Sequence, residues 1–255
     1  PAIAAGPRNH YLAPMRWSVP LVPGRLVRRY KRFLVDVTLD DGPRQTGGGA
    51  LVTAHCPNPG RLLGVAAPGS RVWLSRSPNP RRALPLTLEI VEADDGGALV
   101  GVNPMRPNRI VEEALRAGAI ALLAGYGEIR REVPYGERSR VDLLLRRDGA
   151  PDCYVEVKNV HLRREGRAEF PDCVTARGAR HLRELAALVG RGCRAVVVYV
   201  VQRADCAAFA PADDIDPAFA EAFRAAVAGG VEALCLSCAV GLDGIRLEKP
   251  LPIIL

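Results

Sequence analysis

Short apolar stretches, separated by glycine and proline, dominate the first hundred residues of the chain. Between residues 16 and 102 no segment shows the spacing of an amphipathic helix, whereas strand-type residues recur in short runs. These runs are 25–30, 32–39, 49–54, 71–75, 84–92 and 98–102. Turn-forming groups such as Pro68-Gly69 and Pro78-Asn79-Pro80 separate them. Five or six short strands in about 85 residues predict a small antiparallel barrel of the OB type.

From Pro104 onward the pattern alternates between helix and strand. A helix is predicted from near Pro107 to residue 124, with Gly125 as its stop. Helical spacing recurs over 176–189, and Asp216-Pro217 predicts the start of a helix that ends at residue 228. Strands are predicted at 128–133, 194–201, 231–240 and 245–247, and a mobile polar loop at 161–169. We therefore expect an N-terminal tail (1–15), an OB-like domain (16–103) and a mixed α/β domain (104–255).

Two strand-type runs, 141–145 and 153–160, flank a segment that contains Asp148-Gly149, a strong hairpin signal. A hairpin symmetric about Gly149 places Asp142 opposite Glu156, with Cβ atoms roughly 5 Å apart. Side chains alternate between the faces of a strand, so Lys158 projects from the same face as Glu156. Like charges in direct opposition destabilise a sheet unless positive charge compensates them, and Lys158 supplies part of that charge.

A divalent cation between Asp142 and Glu156 would supply the remaining positive charge. Carboxylate oxygens suit Mg²⁺ or Mn²⁺, and such an ion activates water for hydrolysis of a phosphodiester. Lys158 would orient the attacking water or neutralise the transition state. The alternative is a buried carboxylate–lysine cluster that is satisfied internally and performs no chemistry.

The charge distribution favours an anionic partner for the N-terminal part. The chain of 255 residues has a net charge of +7, of which residues 1–109 contribute +8 and residues 110–255 contribute −1. No apolar run approaches the roughly 20 residues that span a bilayer, which excludes a membrane-spanning helix. Seven cysteines without an export signal indicate reduced thiols and a cytoplasmic protein. Cys235 and Cys238 have CxxC spacing but lie within a strand-type run, which favours core positions over a zinc site.

Two segments of the basic part are candidate nucleic-acid contacts. The first interleaves four cations with two aromatic rings and consists of Arg28, Arg29, Tyr30, Lys31, Arg32 and Phe33. Such a segment offers phosphate contacts and stacking surfaces, although a charged outer strand with Tyr30 or Phe33 in the core explains it as well. The second is a stiff loop with the candidate donors His55, Asn58 and Arg61, which is also explained as a generic turn.

Four motifs together resemble the SfsA family, the sugar fermentation stimulation proteins, from about Leu26 to the C-terminus. They are His-Cys-Pro-Asn-Pro-Gly-Arg at 55–61, Tyr-Gly-Glu-Arg-Ser-Arg-Val-Asp at 135–142, Cys-Tyr-Val-Glu-Val-Lys-Asn at 153–159 and Phe-Pro-Asp-Cys-Val-Thr-Ala-Arg-Gly at 170–178. The resemblance implies an OB-like domain followed by a domain of the PD-(D/E)xK nuclease superfamily. It also implies DNA binding, with a proposed regulatory role in sugar metabolism genes.

The resemblance assigns roles to individual residues. Asp142 matches the metal-binding aspartate of the superfamily, and Glu156-Val157-Lys158 matches its ExK motif. An acidic residue on the preceding helix often completes such a site, and Glu113 is the candidate, with Glu112 as the alternative. The resemblance further implies DNA contacts for Arg177, His181 and Gln202.

Three functions are consistent with these features. The first is a DNA-binding protein with a nuclease-like centre that uses Mg²⁺ or Mn²⁺, and the second is a non-catalytic DNA-binding transcriptional accessory protein that retains the fold. The third is an enzyme acting on a small phosphorylated metabolite, against which stands the lack of a glycine-rich phosphate loop. The sequence does not indicate an oligomeric state.

Overall fold

The computed structural model of the chain describes residues 15–40, 49–94, 96–135 and 139–255. The predicted tail (1–14) and residues 136–138 of the motif at 135–142 therefore lie outside the described residues. The first strand, β1 (Met15–Arg16), precedes six strands of the N-terminal domain. These are β2 (Val22–Tyr30), β3 (Leu34–Leu39), β4 (Leu51–His55), β5 (Arg71–Arg76), β6 (Leu86–Glu92) and β7 (Leu99–Gly101).

The N-terminal domain is the OB barrel that the sequence predicts. Its strands follow the order β4-β3-β2-β5-β6-β7, and a bridge from His55 of β4 to Thr87 of β6 closes the barrel. Alternating apolar residues line its interior, among them Val35, Val37, Val72 and Leu74, which are fully buried. The opposite faces of β2 and β5 carry exposed arginines, among them Arg25, Arg28 and Arg71.

The C-terminal domain is the mixed α/β unit that the sequence predicts. Its described residues form three α-helices, α1 (Pro107–Arg116), α2 (Ala176–Val189) and α3 (Pro217–Ala228), and a 3₁₀ turn (Ala121–Leu123). Its strands are β8 (Glu128–Tyr135), β9 (Ser139–Arg146), β10 (Cys153–Val160), β11 (Leu162–Arg164), β12 (Arg167–Phe170), β13 (Arg194–Val201), β14 (Ala208–Pro211), β15 (Glu232–Val240) and β16 (Gly244–Pro250).

A seven-stranded sheet in the order β1-β16-β15-β13-β10-β9-β8 forms the centre of this domain. The pairs β10–β13 and β13–β15 are parallel, and the flanking pairs are antiparallel. One face packs against α2 and α3, and the other against α1. Strand β13 is therefore buried on both faces, as its unbroken apolar run predicts. Strands β11, β12 and β14 form a small separate sheet.

The predicted bounds of α2, α3 and β13 are confirmed, because local signals define them. The Thr175 side chain accepts a hydrogen bond from the Gly178 amide at 3.1 Å and caps α2. Asp216 does the same for α3, with the Phe219 amide at 3.0 Å. Pro217 then occupies the first helical position, where its missing N–H removes no intrahelical bond.

Three predicted features were wrong. Helix α1 ends at Arg116 instead of continuing to residue 124, because the chain turns at Gly118, whose φ of +68° is a left-handed conformation. The predicted mobile loop at 161–169 forms the hairpin β11–β12, and β12 pairs with β14. The boundary between residues 15 and 16 divides β1, which pairs with β16 and so belongs to the C-terminal sheet.

The two domains meet close to the ends of β7 and β13. The Gly101 amide donates to the Gln202 carbonyl at 2.8 Å, and the Leu62 amide donates to the Asp172 carboxylate at 2.8 Å. Among the described residues, no helix combines the length and apolar character that a membrane crossing requires.

Candidate functional site

The β9–β10 hairpin has the register that the sequence predicts. Leu145, Leu144 and Leu143 face Cys153, Tyr154 and Val155, which brings Asp142 level with Glu156. Backbone pairing ends at this point, and Asp142 Oδ2 accepts the Val157 amide hydrogen at 2.7 Å. The Asp142 carboxylate thus replaces a strand carbonyl as the acceptor and is held against β10.

Asp142 is also fixed from the helix side. Asn108, in the first turn of α1, donates its side-chain amide to Asp142 Oδ1 at 2.7 Å. Burial raises the pKa of Asp142, and the charge of Glu156 raises it further, to about 6, although the two hydrogen bonds oppose this change. The carboxylates of Asp142 and Glu156 therefore repel each other, and a positive charge between them would be stabilising.

Glu156 has a different environment. Only 3% of its surface is exposed, and its Oε1 lies 2.6 Å from Lys158 Nζ and 2.5 Å from His181 Nδ1. Burial raises the pKa of Glu156, but Lys158 and His181 outweigh this effect, so the pKa lies below its ordinary value. The carboxylate is ionised, and among the described residues its buried Oε2 has no hydrogen-bond partner.

These side chains line one cleft of about 460 Å³ between α1, the hairpin and α2. Four cationic side chains face it together with three carboxylates, a mixture that suits a metal ion and a phosphate. The lining residues are Pro104, Met105, Asn108, Arg109, Arg131, Glu132, Asp142, Glu156, Val157, Lys158, Arg177 and His181.

The predicted acid of the preceding helix does not line the cleft. Glu113 Oε1 accepts a hydrogen bond from Arg109 at 2.6 Å and lies near Met15 and Leu247, on the side of β16. Glu112 is buried between Arg116 and Arg131. The residue of α1 that bonds Asp142 is Asn108, which sequence reasoning missed because an asparagine near a helix start is common in any helix.

Glu132 is a second lining residue that the sequence did not indicate. In β8, Arg131 pairs with Leu143 and Val133 pairs with Val141 of β9. Glu132 lies between them and is therefore level with Asp142. Its φ of +51° is unusual for a non-glycine residue within a strand, and no feature of the sequence signals it.

A conventional metal cluster is absent from the part of the chain that the structure describes. No group of three or more histidine, cysteine, aspartate or glutamate side chains there could hold an ion. Cys235 and Cys238 belong to the core clusters on opposite faces of the sheet, so they form no pair. The candidate metal ligands are therefore Asp142 and Glu156, with water and substrate oxygens for the other positions.

The basic segment of the barrel forms the end of β2 and the turn into β3. Arg28 pairs with Asp36 at 2.7 Å and stacks on Tyr30 at 4.7 Å, and the Tyr30 hydroxyl also bonds Asp36. Neither aromatic ring of the segment belongs to the core, because Tyr30 is half-buried and 44% of Phe33 is exposed. The alternative explanation, with one ring in the core, is wrong.

The tip of this turn is the most accessible part of the segment. Lys31 and Arg32 have positive φ values and exposed side chains. Arg29 instead supports the turn, because its guanidinium donates to the carbonyls of Arg32 and Asn58, each at 2.8 Å. Lys31, Arg32 and Phe33 together form what we call the barrel tip.

Two predicted nucleic-acid contacts are contradicted by burial. Asn58 is 4% exposed, and its side chain bonds the Val102 carbonyl at 2.9 Å and the Gly60 amide at 2.8 Å. Gln202 is fully buried, and its amide donates to Asn159 Oδ1 at 2.7 Å. Both side chains therefore stabilise loops at the domain junction and cannot reach a ligand.

The remaining predicted contacts occupy different places. His55 is half-buried beside Arg82, at 3.0 Å, and burial followed by that charge lowers its pKa. Arg61 is exposed, and Arg177 is exposed at the cleft. His181 lines the cleft but is 3% exposed.

Comparison with known proteins gives matches over nearly the whole chain. Residues 27–102 match the model of the SfsA N-terminal OB domain, and residues 105–244 match that of the sugar fermentation stimulation protein RE domain. A sugar fermentation stimulation protein homolog of Rhodospirillum centenum is 61% identical, over 93% of this chain and 98% of its own length. The homolog of Methylobacterium radiotolerans is 57% identical, over 94% and 99%.

A solved structure has the same architecture. Pyrococcus furiosus SfsA in complex with Ca²⁺ superposes with a TM-score of 0.83 and 28% identity, over 94% of this chain and 98% of that chain. The matches to both domains and to full-length relatives agree with the barrel and the α/β domain described above. The chain belongs to the SfsA family of sugar fermentation stimulation proteins.

Proposed function

We propose that the cleft binds a divalent cation and supports hydrolysis of a phosphodiester bond in DNA. The observation that carries this proposal is Glu156 Oε2, a buried carboxylate oxygen without a hydrogen-bond partner among the described residues. Such an atom requires a partner, and an ion is the natural one beside a second carboxylate. The complex of Pyrococcus furiosus SfsA with Ca²⁺ supports a divalent ion in this family.

Asp142 and Glu156 offer the hard oxygen ligands that Mg²⁺ or Mn²⁺ prefers. Such an ion, when bound, lowers the pKa of a coordinated water and offsets the charge of a phosphate. Lys158 keeps its ammonium group beside Glu156 and places positive charge where the transition state becomes more negative. Arg177, exposed at the cleft, is suited to hold a phosphate oxygen.

Charge and placement support DNA as the substrate. The excess of positive charge lies in residues 1–109, and the barrel tip presents two cations and an exposed ring. Arg32 lies close enough to Cys173 for its charge to act on that thiol. Cys173 lies three residues before the start of α2, which carries Arg177, and we infer that the barrel tip and the cleft share one surface. A polyanion can follow that surface from one domain to the other.

The nuclease activity is tested with purified protein and single-stranded, duplex and branched DNA in Mg²⁺ or Mn²⁺. We expect cleavage that EDTA abolishes and that Glu156→Gln or Lys158→Met reduces at least about 100-fold while DNA binding persists. Glu221→Gln, the same chemical change on the exposed side of α3, serves as the matched control. The nuclease proposal fails if none of these substrates is cleaved.

DNA binding is tested separately by its salt dependence. Each phosphate contact contributes a slope of about −0.9 to log K against log salt for duplex DNA, and about −0.7 for a single strand. We expect the double variant Lys31→Ala, Arg32→Ala to have a less steep slope, by the equivalent of one to two phosphate contacts. Arg191 is an exposed arginine of the α2–β13 loop, and Arg191→Ala should leave the slope unchanged. Binding that is insensitive to salt would exclude DNA as the partner.

One observation favours a second function, that of a DNA-binding accessory protein without turnover. The described residues contain no cluster of three metal-binding side chains, so an ion held by Asp142 and Glu156 would depend on water or substrate for its other ligands. The names of the relatives, which refer to stimulation of sugar fermentation, fit a regulatory role. Salt-dependent DNA binding combined with absence of cleavage would support this second function.

A further inference from the structure

We propose that Arg177 and His181 form a positioning pair that fixes the Glu156 carboxylate with Oε2 free for a cation. This inference rests on the proposed function of the cleft. It gives His181 a role other than the DNA contact that the sequence predicts, and it gives Arg177 a second role beside the phosphate contact proposed above. The two residues are four apart on α2, so they lie on the same face of the helix.

The tautomer of His181 follows from the geometry of its hydrogen bonds. Arg177 Nε donates a hydrogen bond to His181 Nε2 at 3.2 Å. A guanidinium has donors only, so Nε2 must be the acceptor and carries no proton. The proton of the neutral ring then resides on Nδ1, which lies 2.5 Å from Glu156 Oε1 and donates to it. Arg177 thereby selects the tautomer of His181 that can hold Glu156.

This tautomer decides which oxygen of Glu156 remains available. Oε1 accepts from both His181 and Lys158, so its two lone pairs are used. Oε2 is left buried and without a partner among the described residues. Without the donor at His181, only Lys158 would hold the carboxylate, and rotation would exchange the two oxygens. The pair thus fixes the Glu156 carboxylate in the orientation that leaves Oε2 available as a metal ligand.

The helix that carries the pair is itself rigidly held. Thr175 caps α2 through its side chain, and its own amide donates to Asp216 at 2.7 Å. His181 is 3% exposed, and the neighbouring Leu182 and Leu185 are buried in the core against the sheet. A ligand-orienting residue on a packed helix is held more precisely than one on a loop. Since His181 is buried with both ring nitrogens engaged, direct contact with DNA does not account for it.

The first experiment measures Mn²⁺ binding to the full chain by titration calorimetry without DNA. We expect His181→Ala to weaken binding about 10- to 100-fold, the usual effect of losing a residue that orients a metal ligand. His181→Asn, which keeps an N–H near the position of Nδ1, should restore affinity to within about threefold of the wild type. Arg180→Ala, an exposed change on the same helix, is the matched control.

The second experiment observes the tautomer directly and does not depend on metal affinity. The chain contains four histidines, so the ¹⁵N signals of the His181 ring can be assigned by substitution. We expect the Nδ1–H tautomer in the wild type at neutral pH, and a mixture of tautomers in Arg177→Ala. This variant changes an exposed residue, so it tests the inference even if His181→Ala fails to fold.

The outcomes separate this inference from the proposed function. Failure of the wild type to bind Mn²⁺ at millimolar concentration would overturn the metal site itself. Normal Mn²⁺ binding by the wild type and equally tight binding by His181→Ala would overturn the positioning role and leave the metal site standing. An Nε2–H tautomer in the wild type would also overturn the positioning role.

Discussion

At the scale of single residues, two carboxylates in adjacent strands have opposite pKa changes. Lys158 and His181 both bond Glu156 and outweigh its burial, whereas at Asp142 burial and the repulsion of Glu156 outweigh its two hydrogen bonds and the charge of Lys158. The change in the pKa of Asp142 from 3.8 to about 6 corresponds to about 3 kcal/mol of disfavoured ionisation. This penalty is absent below pH 4 and complete above pH 6, so Asp142 destabilises the metal-free fold at neutral pH. A cation would remove it.

The first prediction concerns the pH dependence of Mn²⁺ binding. Because Asp142 must lose its proton to bind an ion, we expect affinity to fall about tenfold for each pH unit below about 6. Glu156, whose pKa is lowered, stays ionised over this range and contributes nothing to the decrease. Calorimetry at pH 5 to 7.5 in two buffers of different ionisation enthalpy would measure both the affinity and the number of protons released, which should rise toward one below pH 6 and fall toward zero above it.

The control for this prediction is Asp142→Asn, which cannot ionise. We expect it to bind Mn²⁺ weakly at every pH and to lose the dependence below pH 6. The same affinity at pH 5 and pH 7 in the wild type would contradict the assignment of Asp142 as the titrating ligand.

At the scale of elements, what the sequence predicts well is what local chemistry determines. Asp148-Gly149 sets the hairpin register, because Gly149 adopts a φ of +72° at the turn, and that register brings Asp142 level with Glu156. Thr175 and Asp216 define the starts of α2 and α3 by capping them. The candidate site was therefore predictable to the extent that one hairpin contains it.

Elements that depend on distant partners were predicted poorly. The hairpin β11–β12 looks like a polar loop in sequence, and its order comes from pairing with β14, about forty residues away. The orientation of α1 selects Asn108 rather than Glu113 for the cleft, because the buried stripe of the helix contains Ile110, Val111 and Ala114. Helical spacing indicates that a stripe is buried, but it does not indicate which end of the helix meets a carboxylate.

The second prediction concerns Asp216, which joins two helices. Its Oδ1 accepts the Phe219 amide at 3.0 Å, and its Oδ2 accepts the Thr175 amide at 2.7 Å. Asp216→Ala removes both bonds, and we expect it to lower the free energy of unfolding by about 2–4 kcal/mol. Thr175→Ala, which removes one cap, should lower it by about 1 kcal/mol. Urea unfolding measures both changes in the free energy of unfolding, provided that the m-value is the same for the variants and the wild type.

Asp216→Asn provides the conservative comparison. It keeps one acceptor oxygen at the helix start, so we expect less than half of the destabilisation of Asp216→Ala. If Asp216→Ala were within about 0.5 kcal/mol of the wild type, the two hydrogen bonds of Asp216 would contribute nothing to stability.

At the scale of the whole molecule, one carboxylate connects the barrel to the α/β domain. Asp172 Oδ2 accepts the Leu62 amide at 2.8 Å and lies 3.1 Å from His161 Nε2. The backbone of Gly60 passes so close that a Cβ there would lie 2.4 Å from Asp172 Oδ1. Leu62 and Asp172 are 110 residues apart, a separation over which sequence periodicity carries no information. This is why Asn58, which shapes the loop that meets Asp172, was mistaken for a ligand contact.

The third prediction tests whether this contact makes the two domains unfold together. The chain has two tryptophans, and they report different domains. Trp73 is buried in β5 of the barrel, and Trp17 donates to the Gly241 carbonyl in the C-terminal domain at 3.1 Å. Trp17→Phe and Trp73→Phe therefore each leave one fluorescent probe. Without a substitution at Gly60, we expect the two single-tryptophan proteins to unfold with the same urea midpoint.

Gly60→Ala should separate the two transitions. The added Cβ would meet a carboxylate that is buried and bonded on both sides, so the loop and Asp172 must move apart. We expect the midpoint reported by Trp73 to fall below that reported by Trp17, because the barrel loses its connection while the larger sheet retains its own core. Gly127→Ala, where a Cβ meets open space and φ is not positive, is the matched control. Coincident midpoints in Gly60→Ala would show that the contact at Asp172 does not couple the domains, and the Gly101–Gln202 contact would then have to do so.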